Sequence, residues 1–123
     1  MRTLAPRLAV HDAAAAIDFY VHAMGGKEIS RFDSDGTIVH AEVAFGDHIV
    51  MVKDEDATDP SPTTLGGTPV LLSAEVDDVD DLGRRMTAAG AEVVFAIDDH
   101  GYGLRDGRFR DPFGHLWIIG TRG

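Results

Sequence analysis

Apolar residues recur along this chain in two patterns. Ile17, Tyr20, Val21 and Met24 fall at helical spacing behind Asp12, a residue type suited to an N-cap, and Gly25-Gly26 supplies the stop. Val79, Leu82, Met86 and Ala89, spaced 3, 4 and 3, repeat the pattern behind Asp77 or Asp78 and end at Gly90. Elsewhere the pattern shortens to stretches bounded by turn residues, which reads as strands. Leu4 to Val10 carries Pro6 and suits a strand start or a sheet edge. Lys27 to Phe32 is a second strand, closed by Asp33-Ser34-Asp35-Gly36. Ile38 to Phe45, Gly46-Asp47 and His48 to Val52 form a hairpin. Val70 to Val76 and Ala91 to Ala96 are further strands, and Asp98 to Gly103 reads as a loop. Gly101 to Trp117 then forms a closing strand, turn and strand, with Pro112 and Gly114 at the second and fourth turn positions. Leu116-Trp117-Ile118-Ile119 is its buried or half-buried return.

The elements order themselves as β-α-β-β-β twice, displaced by about 66 residues, with His48 matching His115 at a displacement of 67. Asp54 to Pro69, rich in acids, Pro, Ser, Thr and Gly, separates the units as a linker. The expectation is a single α+β domain over residues 1–123, made of units at about 1–53 and 70–123. One unit is too small to cover both faces of its sheet, so two must pair, within the chain or across a dimer. Helices would cover one sheet face, and the other would curl around a cavity.

Composition narrows the function. A chain of 123 residues, 44% apolar and 26% charged, is an ordinary globular one. With no Cys, disulfides, thiolate metal sites and a Cys nucleophile are excluded. The formal charge of -10 argues against nucleic acid and draws cationic ligands, or serves solubility alone. No apolar run approaches the roughly 18 residues of a membrane span, and the N-terminus lacks a long apolar core, which leaves a cytoplasmic protein as the expectation. No phosphate loop and no GxSxG elbow occurs. The acidic runs Asp54-Glu55-Asp56 and Asp77-Asp78-Asp80-Asp81 sit in the linker and at a helix start, where solvated acids are ordinary.

Val10-His11-Asp12 through Phe19-Tyr20, Leu65-Gly66-Gly67-Thr68-Pro69, and Tyr102-Gly103-Leu104-Arg105 through Asp111-Pro112-Phe113-Gly114-His115-Leu116-Trp117 together resemble the vicinal oxygen chelate superfamily. That group holds glyoxalase I, extradiol dioxygenases and bleomycin-resistance proteins, and the last segment is similar to its PhnB-like members. The resemblance implies the paired β-α-β-β-β fold and, in the enzymes, one divalent metal held by four His, Gln or Glu side chains on four strands. Carried over by register, those positions fall on Ala5, Met51, Leu71 and Ile118. Three are hydrocarbon and one a soft thioether, so none suits a hard divalent metal, and no metal or cofactor is expected.

If those positions face the cavity, alternation adds Arg7, Ala9, Ile49, Lys53, Ser73, Glu75 and Leu116, and turns Trp117 and Ile119 toward a helix. His40 and Glu42 share a strand face, with Val39, Ala41, Val43 and Phe45 on the other. The repeat displacement matches them to Gly107 and Phe109, which puts Phe109 and Arg105 on the cavity side unless Asp106-Gly107 is itself a turn. The expected ligand-binding set is therefore His40, Glu42, Met51, Leu71, Arg105, Phe109, Leu116 and Ile118, with no catalytic residue. An apolar hollow with few polar anchors suits an amphipathic or aromatic small molecule. The resemblance implies a homodimer sharing sites between chains and a drug-sequestering function of the bleomycin-resistance type. Two alternatives stand beside it: a metal-dependent enzyme with ligands relocated to His40, Glu42 and His115, and a protein-interaction module with a filled cavity.

Overall fold

The computed structural model describes residues 1–122. The chain runs β1 (Arg7–Val10), α1 (Ala13–His22), β2 (Lys27–Ser34), β3 (Thr37–Phe45), β4 (His48–Asp54), α2 (Pro62–Leu65), β5 (Leu71–Glu75), α3 (Val79–Ala88), β6 (Glu92–His100), β7 (Leu104–Arg110) and β8 (Leu116–Arg122). The eight strands form two four-stranded sheets of matching order, β1-β4-β3-β2 and β5-β8-β7-β6. In each, the strand before the helix lies parallel to the last strand, and the remaining pairs are antiparallel. This is the α+β architecture anticipated from the periodicity.

The caps explain where the helices start. Asp12 accepts a hydrogen bond from the Ala15 amide at 3.1 Å, and Asp78, rather than Asp77, accepts one from Asp81 at 3.0 Å. Asp54 holds two elements together: its carboxylate accepts from the amides of Ala13 at 2.7 Å and Ile38 at 2.8 Å. Alternation then sorts each sheet into two faces. Leu8, Val10, Ala41, Val43, Val50 and Val52 are buried on the face covered by α1, and Phe109, Trp117 and Ile119 on the face covered by α3.

The two halves are joined through this covered layer. The Asp111 carboxylate, 2% exposed, accepts from Tyr20 Oη at 2.6 Å and Trp117 Nε1 at 2.9 Å through one oxygen. Its other oxygen accepts from the amides of Phe113 at 2.9 Å and His115 at 3.0 Å. Tyr20 belongs to α1, so this carboxylate ties the first helix to the turn that launches β8. Burial, and then the Asp111 charge beside it, push the Tyr20 hydroxyl well above its ordinary titration range and keep it a donor. Tyr20 and Phe45 also pack against Trp117, and Arg85 of α3 donates to the carbonyl of Ala23 at the end of α1.

Three local features differ from the sequence expectation. Residues 98–100 continue β6, not a loop, and the reversal is confined to 101–103. The linker holds a single helical turn, α2, capped by Ser61 and closed by Gly66 at φ +85°. Val39 is exposed while Ile38 is buried, because a bulge between Phe32 and Asp33 moves the pairing of β3 by one residue.

Candidate functional site

The faces that the helices leave bare carry the candidate chemistry. In-register partners share a face, so the pairings define one transverse row across each sheet. In the first it is Ser30, Glu42, Met51 and Arg7; in the second, Phe95, Arg108, Ile118 and Ser73. Met51 and Ile118 hold equivalent central places. Leu71 pairs with Leu116 one step along the second face, and His40 pairs with Phe32 on the first. The structure thus puts His40, Glu42 and Met51 on one bare face and Leu71, Leu116 and Ile118 on the other. Ala5 lies just ahead of β1. Leu71 is 41% exposed, Phe32 59% and Phe95 61%, so both faces present apolar surface to solvent.

Phe109 and Arg105 do not join them. Phe109 is buried under α3, opposite Trp117, and Arg105 reaches back to α3, where it pairs with Asp80 at 2.9 Å and with Asp99 at 3.1 Å. That contact holds the Asp80 carboxyl below its usual range. The cause is turn length. Two residues, Gly46-Asp47, separate the Phe45–His48 pair in the first hairpin, whereas Pro112-Phe113-Gly114 separates Asp111 from His115 in the second. The extra residue changes the displacement from 67 on β8 to 66 on β7, which matches Glu42 to Arg108 and not to Phe109. A shift of one residue exchanges the faces of a whole strand. Asp106-Gly107 is not a turn but mid-strand, and a Cβ on Gly107 would lie 2.9 Å from the backbone of Phe95 and Ile97.

The polar groups of the first face form a chain. Arg7 Nη2 lies 3.1 Å from His40 Nδ1. A guanidinium can only donate, so Nδ1 accepts and the ring proton sits on Nε2, which lies 3.7 Å from Glu42 Oε2. Ser30 Oγ donates to the other Glu42 oxygen at 3.4 Å. On the second face Arg108 stacks over Phe95, its Cζ 5.2 Å from the ring centroid. Sequence reasoning missed Arg108 and Phe95. Counting back from Ile118 through the longer turn would have found the first, and the second then follows from strand pairing.

The donor set does not fit a divalent metal. At Ala5, Met51, Leu71 and Ile118 it offers hydrocarbon and one thioether. His40 already has Arg7 on Nδ1, and His115 is elsewhere, with Nε2 3.0 Å from the carbonyl of Ala9. Among the described residues no group of three or more His, Cys, Asp and Glu side chains could hold a metal. Two hollows lie outside these transverse rows, the first touching Glu92 and Arg110 at one end of the second bare face. One of about 450 Å³ sits between α2 and the Asp111–Gly114 turn, and one of about 540 Å³ lies between α3 and β6. Neither includes a residue of the transverse rows.

Comparison with known proteins agrees with this architecture. The family model for the glyoxalase/bleomycin resistance protein/dioxygenase superfamily matches residues 3–119. The uncharacterized protein Mb0911c of Mycobacterium bovis is 43% identical over 123 residues, covering 95% of this chain and 81% of its own. TioX from Micromonospora sp. ML1 is 34% identical, with TM-score 0.76 over 98% of this chain and 96% of its own. TnmS3, an antibiotic binding protein from Streptomyces sp. CB03234, shares the fold at 22% identity, with TM-score 0.74 over 100% of this chain and 99% of its own.

Proposed function

The chain belongs to the glyoxalase/bleomycin resistance protein/dioxygenase superfamily, and on that premise we propose that it binds and sequesters a small aromatic or amphipathic molecule of antibiotic type without transforming it. The observation that carries this reading is the chemistry of the bare faces: Met51, Leu71 and Ile118, at three of the four positions where superfamily enzymes would keep metal ligands, make an apolar floor together with Leu116. The likeness to TnmS3, an antibiotic binding protein, supports the same direction.

A flat apolar face exposed to water is a poor binding site until something closes over it. A second copy of the chain is the proposed closure. Its second sheet would face the first sheet of its partner, so that Met51 and Ile118 from different chains floor one cavity and each dimer holds two. The reading takes the protein to act in the cytoplasm, and no helix of the described residues is long and apolar enough to cross a membrane.

Calorimetric titration with bleomycin-like, quinone and phenazine-type compounds tests it, alongside elemental analysis and light scattering. Saturable binding of at least one class by a metal-free dimer is the expected result. A stoichiometric divalent metal, or no heat with any class, contradicts it.

A further inference from the structure

The second bare face carries a guanidinium without a counter-ion among the described residues. Arg108 lies between Phe95 of β6 and Ile118 of β8 in the transverse row. Its Nε is buried and meets no acceptor among the described residues. The neighbouring arginines are committed: Arg105 to Asp80 and Asp99, Arg110 to Glu92, Arg122 to Glu75. Arg108 instead sits over an aromatic ring, its Cζ 5.2 Å from the Phe95 centroid. Such stacking stabilises the cation and fixes its orientation, but supplies no acceptor. A half-buried guanidinium held over an aromatic ring, with no acid partner among the described residues, is prepared for an acid from elsewhere, because its two Nη groups can meet both oxygens of a carboxylate.

We propose that Arg108 anchors the carboxylate of a planar aromatic guest, whose ring then lies along Ile118 and Leu116. The inference rests on the reading of the bare faces as a guest site and names the ligand class that site selects. The matching place on the first sheet is Glu42. In a cavity built from one sheet of each kind, the guest's carboxylate turns toward Arg108 and away from Glu42. The local charge pattern, not the overall charge of -10, sets this preference, since long-range attraction is screened beyond about 10 Å.

Calorimetry with 2-naphthoate, 2-naphthamide and 2-naphthylmethylammonium on the full chain and on R108Q and R108K tests the proposal. Naphthoate is expected to bind at least about tenfold more tightly than the other two, a difference R108Q abolishes. R108Q should weaken naphthoate far more than the amide, and R108K should restore only part of the preference, since lysine keeps the charge but not the planar fork. Equal affinities for all three compounds, or naphthoate binding untouched by R108Q, overturn the anchor and leave the guest-site reading standing. No binding of the naphthalene series while a quinone or phenazine binds also overturns the anchor alone. Failure of every compound removes both.

Discussion

Replacing Asp111 by Ala removes the acceptor for four donors at once: the Tyr20 hydroxyl, the Trp117 indole N–H, and the amides of Phe113 and His115. Leaving a buried donor unpaired costs about 1–3 kcal/mol. Bonds sharing one carboxylate are not additive, and water entering the vacated space recovers part of the loss. The lower end for the three buried donors, about 3 kcal/mol, is the prediction, against a total of about 5–15 kcal/mol for a domain of this kind. With a urea m-value of about 1.5 kcal/mol/M, the unfolding midpoint falls by about 2 M. Far-UV circular dichroism is the readout, because the fluorescence of Trp117 changes with the mutation itself. D111N should cost nearly as much, since either orientation of the amide turns its NH₂ toward a donor. Y20F, which removes one bond to a charged acceptor, should cost about 1.5–3 kcal/mol. A D111A loss below about 1 kcal/mol would refute the assignment of this carboxylate as the join between the halves.

Other consequences follow from register and charge. G107A should destabilise by about 1–3 kcal/mol, because its Cβ meets backbone atoms of Phe95 and Ile97 that cannot rotate away; urea unfolding that matches wild type would mean the register of β7 is wrong. R105Q should leave guest affinity within about twofold of wild type, since Arg105 faces α3; a larger loss would return it to the binding face. The carboxyls of Asp80, beside Arg105, of Glu55, bonded to the Thr64 hydroxyl and Ser61 amide, and of Asp56, beside Lys53, are all held below their ordinary values. Their contribution is complete above the ordinary carboxylate range of about 4 and is lost as pH falls through the lowered folded values. Melting temperature followed from pH 6 to pH 3 should therefore fall, more gently in D80N and at high salt because these groups are exposed. An acid limb identical in D80N and wild type would argue against the Asp80–Arg105 pair.

Much of the fold was legible because its determinants are local. Asp12 caps its helix, Gly25 and Gly90 end theirs, and Gly46-Asp47 turns a two-residue hairpin, each within a few residues of its own effect. The faces of β4, β5 and β8 were equally readable, since Ile49 and Met51 alternate with the buried Val50 and Val52. What failed depended on distance. The face of β7 is set by the length of the Asp111–His115 turn, which shifts Arg108 onto the bare side and Phe109 off it. The bulge at Phe32–Asp33 likewise exchanged Val39 for Ile38. Asp111 read as a turn former, and nothing near it in sequence announces that Tyr20, 91 residues away, is its partner. Buried networks between distant elements leave no periodic trace.

The central claim is that guests meet the hydrocarbon of the two bare faces, and methyl-labelled NMR during titration with the tightest-binding planar aromatic compound tests it most directly. The Met51 ε-methyl and the methyls of Leu71, Leu116 and Ile118 should move together and saturate together, while Ile97 and Val93 beside α3 stay still. Shifts confined to Ile97 and Val93, with Met51 and Ile118 unmoved, would contradict it.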